Sequence, residues 1–238
     1  GGSDDNCTFS LMAGKTSFDC TNLGINTVTL TVTDASTNTG ICYATVIVKD
    51  NIAPTIVCNP LEIVLYENGE YILNEIDIEK ISKWTNDNCT AYEDLEITVF
   101  PNSFQCIHIG EPVSVKVTVV DQSGNESFCE TTVTVYDKIP PVAVCEDIEV
   151  MLDDQGKAIV FPGQIDAGDV SIIPSWARTY NSLEDGSYDA CGVGFISLDK
   201  QDFDCSDIGA NIVTLTVTDP SGNFSICTAV VTITDSLS

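Results

Sequence analysis

Basic residues are scarce in this chain of 238 residues: nine Lys and Arg together stand against 36 Asp and Glu, and Arg178 is the only arginine. A net charge of −27 argues against nucleic acid or an anionic membrane as partner, because neutralising phosphates takes Lys and Arg. It suits solubility, a calcium ion or a cationic partner. Histidine is scarcer still, with His108 alone, and there is no Cys-x-x-Cys pair, which disfavours a Cys/His zinc site. No apolar run approaches the ~18 residues needed to cross a bilayer, and no basic leader with an apolar core opens the chain. Helical periodicity is nearly missing too. The expectation is an internal section of a secreted, all-β protein.

Eleven cysteines and a recurring hairpin fill the space those absences leave. Ala210 to Asp235 reads ANIVTLTVTDPSGNFSICTAVVTITD, two runs of strict alternation flanking the turn Asp219-Pro220-Ser221-Gly222-Asn223. Alternation with period two is the mark of a half-buried strand. Val213, Leu215 and Val217 share one face, while Thr214, Thr216 and Thr218 share the other. The same hairpin occurs at Thr27 to Asp50 and at Pro112 to Asp137, so the chain is built of repeats. Cysteines at matched positions in a repeat argue for disulfides and an oxidising compartment.

Aligned on their cysteines, the repeats run as 1–50, 51–137 and 138–238. The second carries Cys58, Cys89, Cys106 and Cys129, and the third Cys145, Cys191, Cys205 and Cys227. The first holds only Cys7, Cys20 and Cys42, matching the last three positions, and reads as the C-terminal half of a repeat. Cys42 is then a thiol whose partner is missing; a functional free thiol is the rival reading. Each full repeat opens on proline, at Pro54 and at Pro140-Pro141. Short strands follow at Leu61–Leu65 and Ile148–Leu152, and turns at Glu67-Asn68-Gly69-Glu70 and Asp153-Asp154-Gln155-Gly156 read as hairpin turns returning into Tyr71–Leu73 and Ala158–Phe161. Another recurrence is Phe18-Asp19-Cys20, Phe104-Gln105-Cys106 and Phe203-Asp204-Cys205, each followed by a glycine four residues after the cysteine. The phenylalanine is expected in the core. Many short strands with turns about every ten residues indicate tandem immunoglobulin-like β-sandwiches in an elongated rod.

In such a sandwich the first strand can run parallel to the last. That geometry favours Cys58–Cys129 and Cys145–Cys227, and it leaves the middle cysteines to pair as Cys7–Cys20, Cys89–Cys106 and Cys191–Cys205. Four cysteines allow three connectivities, and this one is preferred. Proline at Asp50-Asn51-Ile52-Ala53-Pro54 and at Asp137-Lys138-Ile139-Pro140-Pro141 makes the joints between repeats short and stiff.

The recurring elements are Asp-x-x-x-Pro, a strand and Cys; Phe-x-Cys-x-x-Ile-Gly; Val-Thr-Leu-Thr-Val-Thr-Asp-x-Ser-Gly-Asn; and Cys-x-Ala-x-Val-Thr-Val-x-Asp. Together they resemble the hyalin-repeat (HYR-like) family, and more narrowly the tandem copies in very long surface proteins of Bacteroidetes, gliding-motility adhesins included. The resemblance covers essentially the whole chain and matches best around Asp219 to Asn223. The first repeat departs from it in lacking the glycine after serine (Ser36-Thr37-Asn38). The resemblance implies an immunoglobulin-like module in a surface filament or stalk serving adhesion.

For catalysis the sequence offers little. His108 lies between Ile107 and Ile109 without a counterpart in the other repeats, and the cysteines read as structural. Paired carboxylates are weak evidence in a chain this acidic, so no enzyme is expected. The aspartates say more as ligands of a hard cation, which takes six to eight oxygens. Asp50, Asp137 and Asp235 recur at the repeat ends, Asp34, Asp121 and Asp219 open the hairpin turn, and Asp5, Asp87 and Asp189 precede the second cysteine. Asp77 and Asp166 lie upstream of that cysteine. The candidate calcium ligands are Asp77, Asp87, Asp121, Asp137, Asp166, Asp189, Asp219 and Asp235. For Asp121 and Asp219 the competing role is capping of the turn, since an aspartate there accepts main-chain N–H groups. The spacing is not that of an EF-hand.

The third repeat is longer between Ala167 and Asp189, and its Trp176, Arg178 and Tyr180 form the candidate site for a glycan or protein. The first functional expectation is a stiff, disulfide-stapled, calcium-loaded spacer in a cell-surface polymer, with neighbouring repeats as partners. The alternatives are a glycan- or protein-binding module, and an accessory module of a secreted multidomain enzyme.

Overall fold

The computed structural model describes residues 8–166 and 186–235. Its strands are β1 (Phe9–Ala13), β2 (Gly24–Asp34), β3 (Thr39–Val48), β4 (Leu61–Val64), β5 (Glu70–Ile72), β6 (Glu96–Phe100), β7 (Ser103–Gln105), β8 (Val113–Val120), β9 (Glu126–Tyr136), β10 (Ile148–Met151), β11 (Lys157–Ile159), β12 (Phe195–Leu198), β13 (Asp202–Asp204), β14 (Gly209–Thr218) and β15 (Phe224–Thr234). Two short helices interrupt them, α1 (Glu75–Ser82) and α2 (Pro162–Ile165). The sequence gives α1 little apolar periodicity. Its acidic first turn, Glu75 and Asp77, suits a helix N-terminus, and Ile81 is fully buried.

The strands assemble in the order β10-β15-β14-β12, with β11-β13 as a separate pair; β4-β9-β8-β6 and β5-β7 repeat the arrangement. The opening strand runs parallel to the last, Ile148 opposite Val231 and Leu61 opposite Val133. The long hairpin β14–β15 is antiparallel through ten pairs from Gly209↔Ile233 to Thr218↔Phe224. This is the strand order of an immunoglobulin-like sandwich. A first layer of four strands faces a short two-stranded layer, and the alternating apolar residues of the hairpin lie between.

The turns at Glu67–Glu70 and Asp153–Gly156 form, with Gly69 N donating to Tyr66 O at 2.8 Å and Gly156 N to Asp153 O at 2.9 Å. They are not hairpin turns as expected. β4 pairs with β9 while β5 pairs with β7, so each turn carries the chain from one layer to the other. Local turn chemistry is the same in both cases; the choice of partner lies outside the turn.

The chain divides into two compact units, residues 1–59, 78–100 and 116–131 in one, and 60–77, 101–115 and 132–238 in the other. In the second, Leu152, Val160, Ile165, Phe203, Val213, Leu215, Val217, Ala229, Val231 and Ile233 form one buried cluster. Each fully buried Val, Leu or Phe contributes about 1.5–3 kcal/mol. Phe203 and its repeat counterpart Phe104 sit in the core as expected, whereas Phe18 is half-buried. In the first unit β1, β2 and β3 form a three-stranded sheet in which β1 pairs with β2 from Phe9↔Asp34 to Ala13↔Leu30.

Candidate cation sites and the cysteine staples

Among the described residues four disulfides are present: Cys58–Cys129, Cys145–Cys227, Cys20–Cys89 and Cys106–Cys191. The first two are the expected ones. They join the segment before the opening strand to the last strand, a consequence of the parallel pairing. The expected pairs Cys89–Cys106 and Cys191–Cys205 do not form, and Cys20 is bonded to Cys89 instead of Cys7, which lies outside the described residues.

The reason is strand length. Cys205 opens a 3-10 turn that leads into the start of β14, at Gly209. Cys191 adjoins Asp189, whose carboxylate is influenced by Asp219 at the other end of the same strand. A ten-residue strand rises about 33 Å, far beyond the reach of a disulfide. The cysteine of Phe18-Asp19-Cys20 is instead bonded to Cys89, and that of Phe104-Gln105-Cys106 to Cys191. Cys20 Sγ lies 3.3 Å from the Asn88 carbonyl oxygen and Cys106 Sγ 3.5 Å from that of Ala190, the equivalent residue.

Beside each of these staples is a group of carboxylates. Asp50, Asp87 and Asp121 each place one oxygen within 4.8 Å of the others. Asp50 is the last residue before a proline joint, Asp87 precedes the second cysteine, and Asp121 opens the β8–β9 turn. Asp121 caps that turn: Oδ1 accepts from Ser123 N at 2.9 Å and Asn125 N at 2.7 Å, and Oδ2 accepts from Asn125 Nδ2 at 2.7 Å. Burial works against its ionised form, but the Asn125 hydrogen bonds win and hold it below the usual carboxylate range. Asp87 Oδ2 accepts from Cys89 N and Thr90 N, both at 2.8 Å, and Asp50 Oδ1 accepts from Ile52 N and Asn88 Nδ2, both at 3.1 Å. The remaining oxygens, Asp50 Oδ2 and Asp87 Oδ1, are buried and accept no hydrogen bond. Asp50 as a whole is only 8% exposed.

The second group has one ligand atom each of Asp137, Asp189 and Cys191 within 4.8 Å of one another, and the charge of Asp219 bears on both of its carboxylates. Asp137 replaces Asp50, Asp189 replaces Asp87, and Asp219 replaces Asp121. Asp137 Oδ1 accepts from Ile139 N at 3.0 Å, Asp189 Oδ1 from Cys191 N at 2.7 Å, and Asp219 from Asn223 N at 2.8 Å and Asn223 Nδ2 at 2.7 Å. Asn223 Nδ2 also reaches Asp137 O at 3.3 Å, as Asn125 Nδ2 reaches Asp50 O at 3.3 Å. Asp137 Oδ2 is the buried oxygen that accepts nothing. All three carboxylates are under 9% exposed, at 7%, 7% and 4%. Burial, reinforced by the charges of Asp137 and Asp219, pushes Asp189 up to about 6, and burial together with Asp219 also raises Asp137.

Burying a carboxylate oxygen without a donor is costly, and three carboxylates held together add repulsion. A cation of charge two or more removes both penalties. Cys191 Sγ also lies within the second group, but its disulfide to Cys106 leaves no thiolate to ligate. The donors are therefore all oxygen. That set fits a hard cation of flexible geometry such as calcium better than zinc.

Six of the eight expected ligands are placed as follows. Asp87, Asp121, Asp137 and Asp189 belong to these two groups, Asp219 bears electrostatically on Asp137 and Asp189, and Asp235 is exposed at the end of β15. The other two stand apart from them. Asp77 accepts from the Tyr71 hydroxyl at 2.7 Å and from Asn74 N at 3.3 Å near the start of α1. Asp166 accepts from Ser187 N at 2.8 Å and from the Ser187 hydroxyl. Asp50 is one of the recurring repeat-end aspartates but lies outside the expected ligand set; its equivalence to Asp137 is the signal that identifies it. Trp176, Arg178 and Tyr180 lie outside the described residues.

No family model matches the chain, and no curated protein matches it. Among solved structures it is similar to Protocadherin Gamma B2 extracellular cadherin domains 1-5, at 14% identity and TM-score 0.31 over 94% of this chain and 48% of that one. It is also similar to PcdhgB3 EC1-4, at 11% identity and TM-score 0.34 over 99% and 66%, and to human mucin-like protocadherin EC1-2, at 15% identity and TM-score 0.33 over 77% and 98%. The chain thus spans about half of the first of these. The immunoglobulin-like description rests on the strand order within this chain.

Proposed function

We propose that this chain is a section of an extracellular adhesive spacer of the hyalin-repeat kind, made of repeats at 1–50, 51–137 and 138–238 that follow one another in a stiff rod. Its role is reach and rigidity, without catalysis. Each joint is clamped covalently by a third-to-second cysteine bond and ionically by calcium held between three aspartates. The observation that carries this reading is the duplication of the joint: Cys20–Cys89 beside Asp50, Asp87 and Asp121, and Cys106–Cys191 beside Asp137, Asp189 and Asp219.

Calcium would be held by Asp50 Oδ2 and Asp87 Oδ1 with an oxygen of Asp121, and by Asp137 Oδ2 with oxygens of Asp189 and Asp219. The bound ion supplies positive charge where the chain has buried negative charge without donors. Four disulfides suit an oxidising compartment, and a surface of net charge −27 suits a soluble, non-associating filament segment. Attachment to a bacterial surface and a part in gliding motility are the narrower forms of the same reading.

Isothermal titration with calcium tests the joints directly: two sites are expected, with a lower affinity for magnesium, which demands tighter octahedral geometry. Small-angle scattering in calcium should give a maximum dimension that shortens or broadens in chelator. No calcium heat at millimolar concentration, with an unchanged scattering curve, would sink the ionic clamp.

A further inference from the structure

One of the two joints places a sulfur among its carboxylates. Asp137, Asp189 and Cys191 each hold a ligand atom within 4.8 Å of the others. Both aspartates are 7% exposed, and Asp137 Oδ2 is buried and accepts no hydrogen bond. While Cys191 is bonded to Cys106, its sulfur has no charge to offer a cation.

Main-chain contacts hold that sulfur in place independently of the bond. Gly192 N donates to Asp189 O at 3.3 Å and closes a turn, and Cys191 N donates to Asp189 Oδ1 at 2.7 Å. Gly192, at φ 105°, has the backbone conformation the turn asks of it. Breaking the S–S bond removes none of these contacts. A cavity of about 410 Å³ lined by Ile139, Pro140, Tyr188 and Asp189 borders the group.

The other joint differs at a single position. Its ligand atoms come from Asp50, Asp87 and Asp121, and among the described residues no sulfur joins them. Asn88 supplies the reason. Its Nδ2 donates to Asp50 Oδ1 at 3.1 Å and lies 3.0 Å from Cys89 Sγ, so an amide stands between sulfur and carboxylate. Ala190 holds the equivalent position in Asp189-Ala190-Cys191 and has no amide to insert.

We propose that the Cys106–Cys191 bond gates which metal the second joint takes: reduced, Asp137, Asp189 and Cys191 form a carboxylate–thiolate site for a divalent cation of the zinc class. A dithiol supplies two electrons and two protons, leaves as its own disulfide, and turns the Cys106–Cys191 bond into two thiols. The cation then takes the Cys191 sulfur and sends its proton to solvent. A tetrahedral zinc with bonds of about 2.0–2.3 Å spaces its ligand atoms about 3.5 Å apart, so the group closes by roughly an ångström. Water or the freed Cys106 sulfur completes the four. A thiolate favours zinc or cadmium over calcium, which prefers oxygen. The inference rests on the reading that this group holds a cation, and adds what the staple's redox state does to it.

Cadmium is the probe, because its bond to thiolate absorbs in the ultraviolet. Cys106→Ser frees Cys191 without a reductant, and Cys106→Ser/Cys191→Ser subtracts the signal of every other thiol. The first variant should show one additional cadmium per chain, displaced by zinc and not by excess calcium. Asp137→Asn added to it should weaken that binding by about tenfold or more, the cost of losing even an outer-shell partner. Cys20→Ser should show no excess over Cys20→Ser/Cys89→Ser. No difference within the first pair, or an equal excess in the second, would overturn the gate. If Cys106→Ser does not fold, the wild-type chain reduced with a phosphine gives the readout: zinc should slow alkylation of Cys191 and leave Cys42 and Cys89 unchanged, and equal rates at Cys191 would overturn it. A calcium titration of the oxidised wild type separates the two readings. Calcium heat without a Cys191-dependent cadmium signal sinks the gate alone; that signal without calcium heat leaves the thiolate site standing and removes the calcium clamp.

Discussion

The hairpins β2–β3 and β14–β15 have matching sequences and different fates. Val28, Leu30 and Val32 stand in the register of Val213, Leu215 and Val217, and both hairpins pair through ten residues. The three residues on β14 are fully buried, whereas on β2 only Val28 is buried and Leu30 and Val32 are half-exposed. The difference is the second layer. β11 and β13 bring Phe203 and Val160 over the third-repeat hairpin, and among the described residues no such pair covers β2 and β3. Alternation therefore specifies pairing and facing; burial is conferred by what is laid on top.

The sharpest way to break this comparison is truncation. Leu215→Ala should cost about 2–5 kcal/mol of stability, because the cavity is enclosed. Leu30→Ala should cost less than about 1 kcal/mol, as substitutions outside a packed core do. Urea unfolding of both variants checks it, and equal losses would mean that β2 is covered after all.

A second contrast sits in the turns of the same hairpins. Asp34 makes the bonds of Asp121 and Asp219, accepting from Ser36 N and Asn38 N, both at 2.8 Å, yet it is half-exposed and joins no carboxylate group among the described residues. Capping and cation binding are thus not rivals: the cap fixes the aspartate's direction, and the neighbours decide whether a cation is wanted. Calcium at a hundred times its dissociation constant should stabilise the protein by about 2.7 kcal/mol per site. Asp87→Asn and Asp189→Asn should each remove one site from a calorimetric titration. Asp34→Asn should leave both.

The pH response should differ in sign between these aspartates. In chelator, Asp189 rises to about 6, so the folded state binds its proton more tightly than the unfolded state. Its contribution is present below the unfolded value near 4 and is lost as pH rises through 6. Asp137 adds to the same trend, since burial raises it too. Asp34, lowered by its Asn38 hydrogen bonds, contributes above the unfolded value and loses that contribution as pH falls. The chelated protein should melt higher at pH 5 than at pH 7, and saturating calcium should flatten or reverse that slope. A melting temperature that climbs from pH 5 to 7 in chelator would contradict the buried, metal-free state of Asp189.

The smallest effect concerns the residue after Ser36. Thr37 has φ 69°, where Gly124 and Gly222 have 85° and 88° in the equivalent turns. A left-handed threonine costs about 1–2 kcal/mol locally, and glycine's looser unfolded chain returns part of that. Thr37→Gly should raise stability by less than about 1 kcal/mol, while Gly222→Thr should lower it by a similar amount or more. Thermal melting of the two variants reads the pair.

Much of the fold and some of the site could be read from the chain alone. Local signals carried it: alternation for the strands, Asp-x-Ser-Gly-Asn for the turns, and cysteines in phase with the apolar face for the bonds Cys58–Cys129 and Cys145–Cys227. Those bonds lie across strands whose pairing the repeat itself implies. The helix α1 is not legible in the sequence because its acidic residues lack a clear apolar stripe, and the turns at Gly69 and Gly156 join two layers because the partners of β4 and β5 are distant in sequence.

Sequence by itself determined that a stapled immunoglobulin-like unit is copied along an acidic, nearly arginine-free chain. Only the tertiary structure decided which cysteines meet and which aspartates gather. Cys191 and Cys205 are close in sequence but lie at opposite ends of a strand, while Cys106 and Cys191, 85 residues apart, share one joint. Asp77 and Asp166 found protein hydrogen bonds of their own, and Asp50 and Asp137 were brought to carboxylates that lie far along the chain from them. Strand alternation is a property of neighbours along the chain; the meeting of strand ends depends on length and direction in space, which no local pattern records.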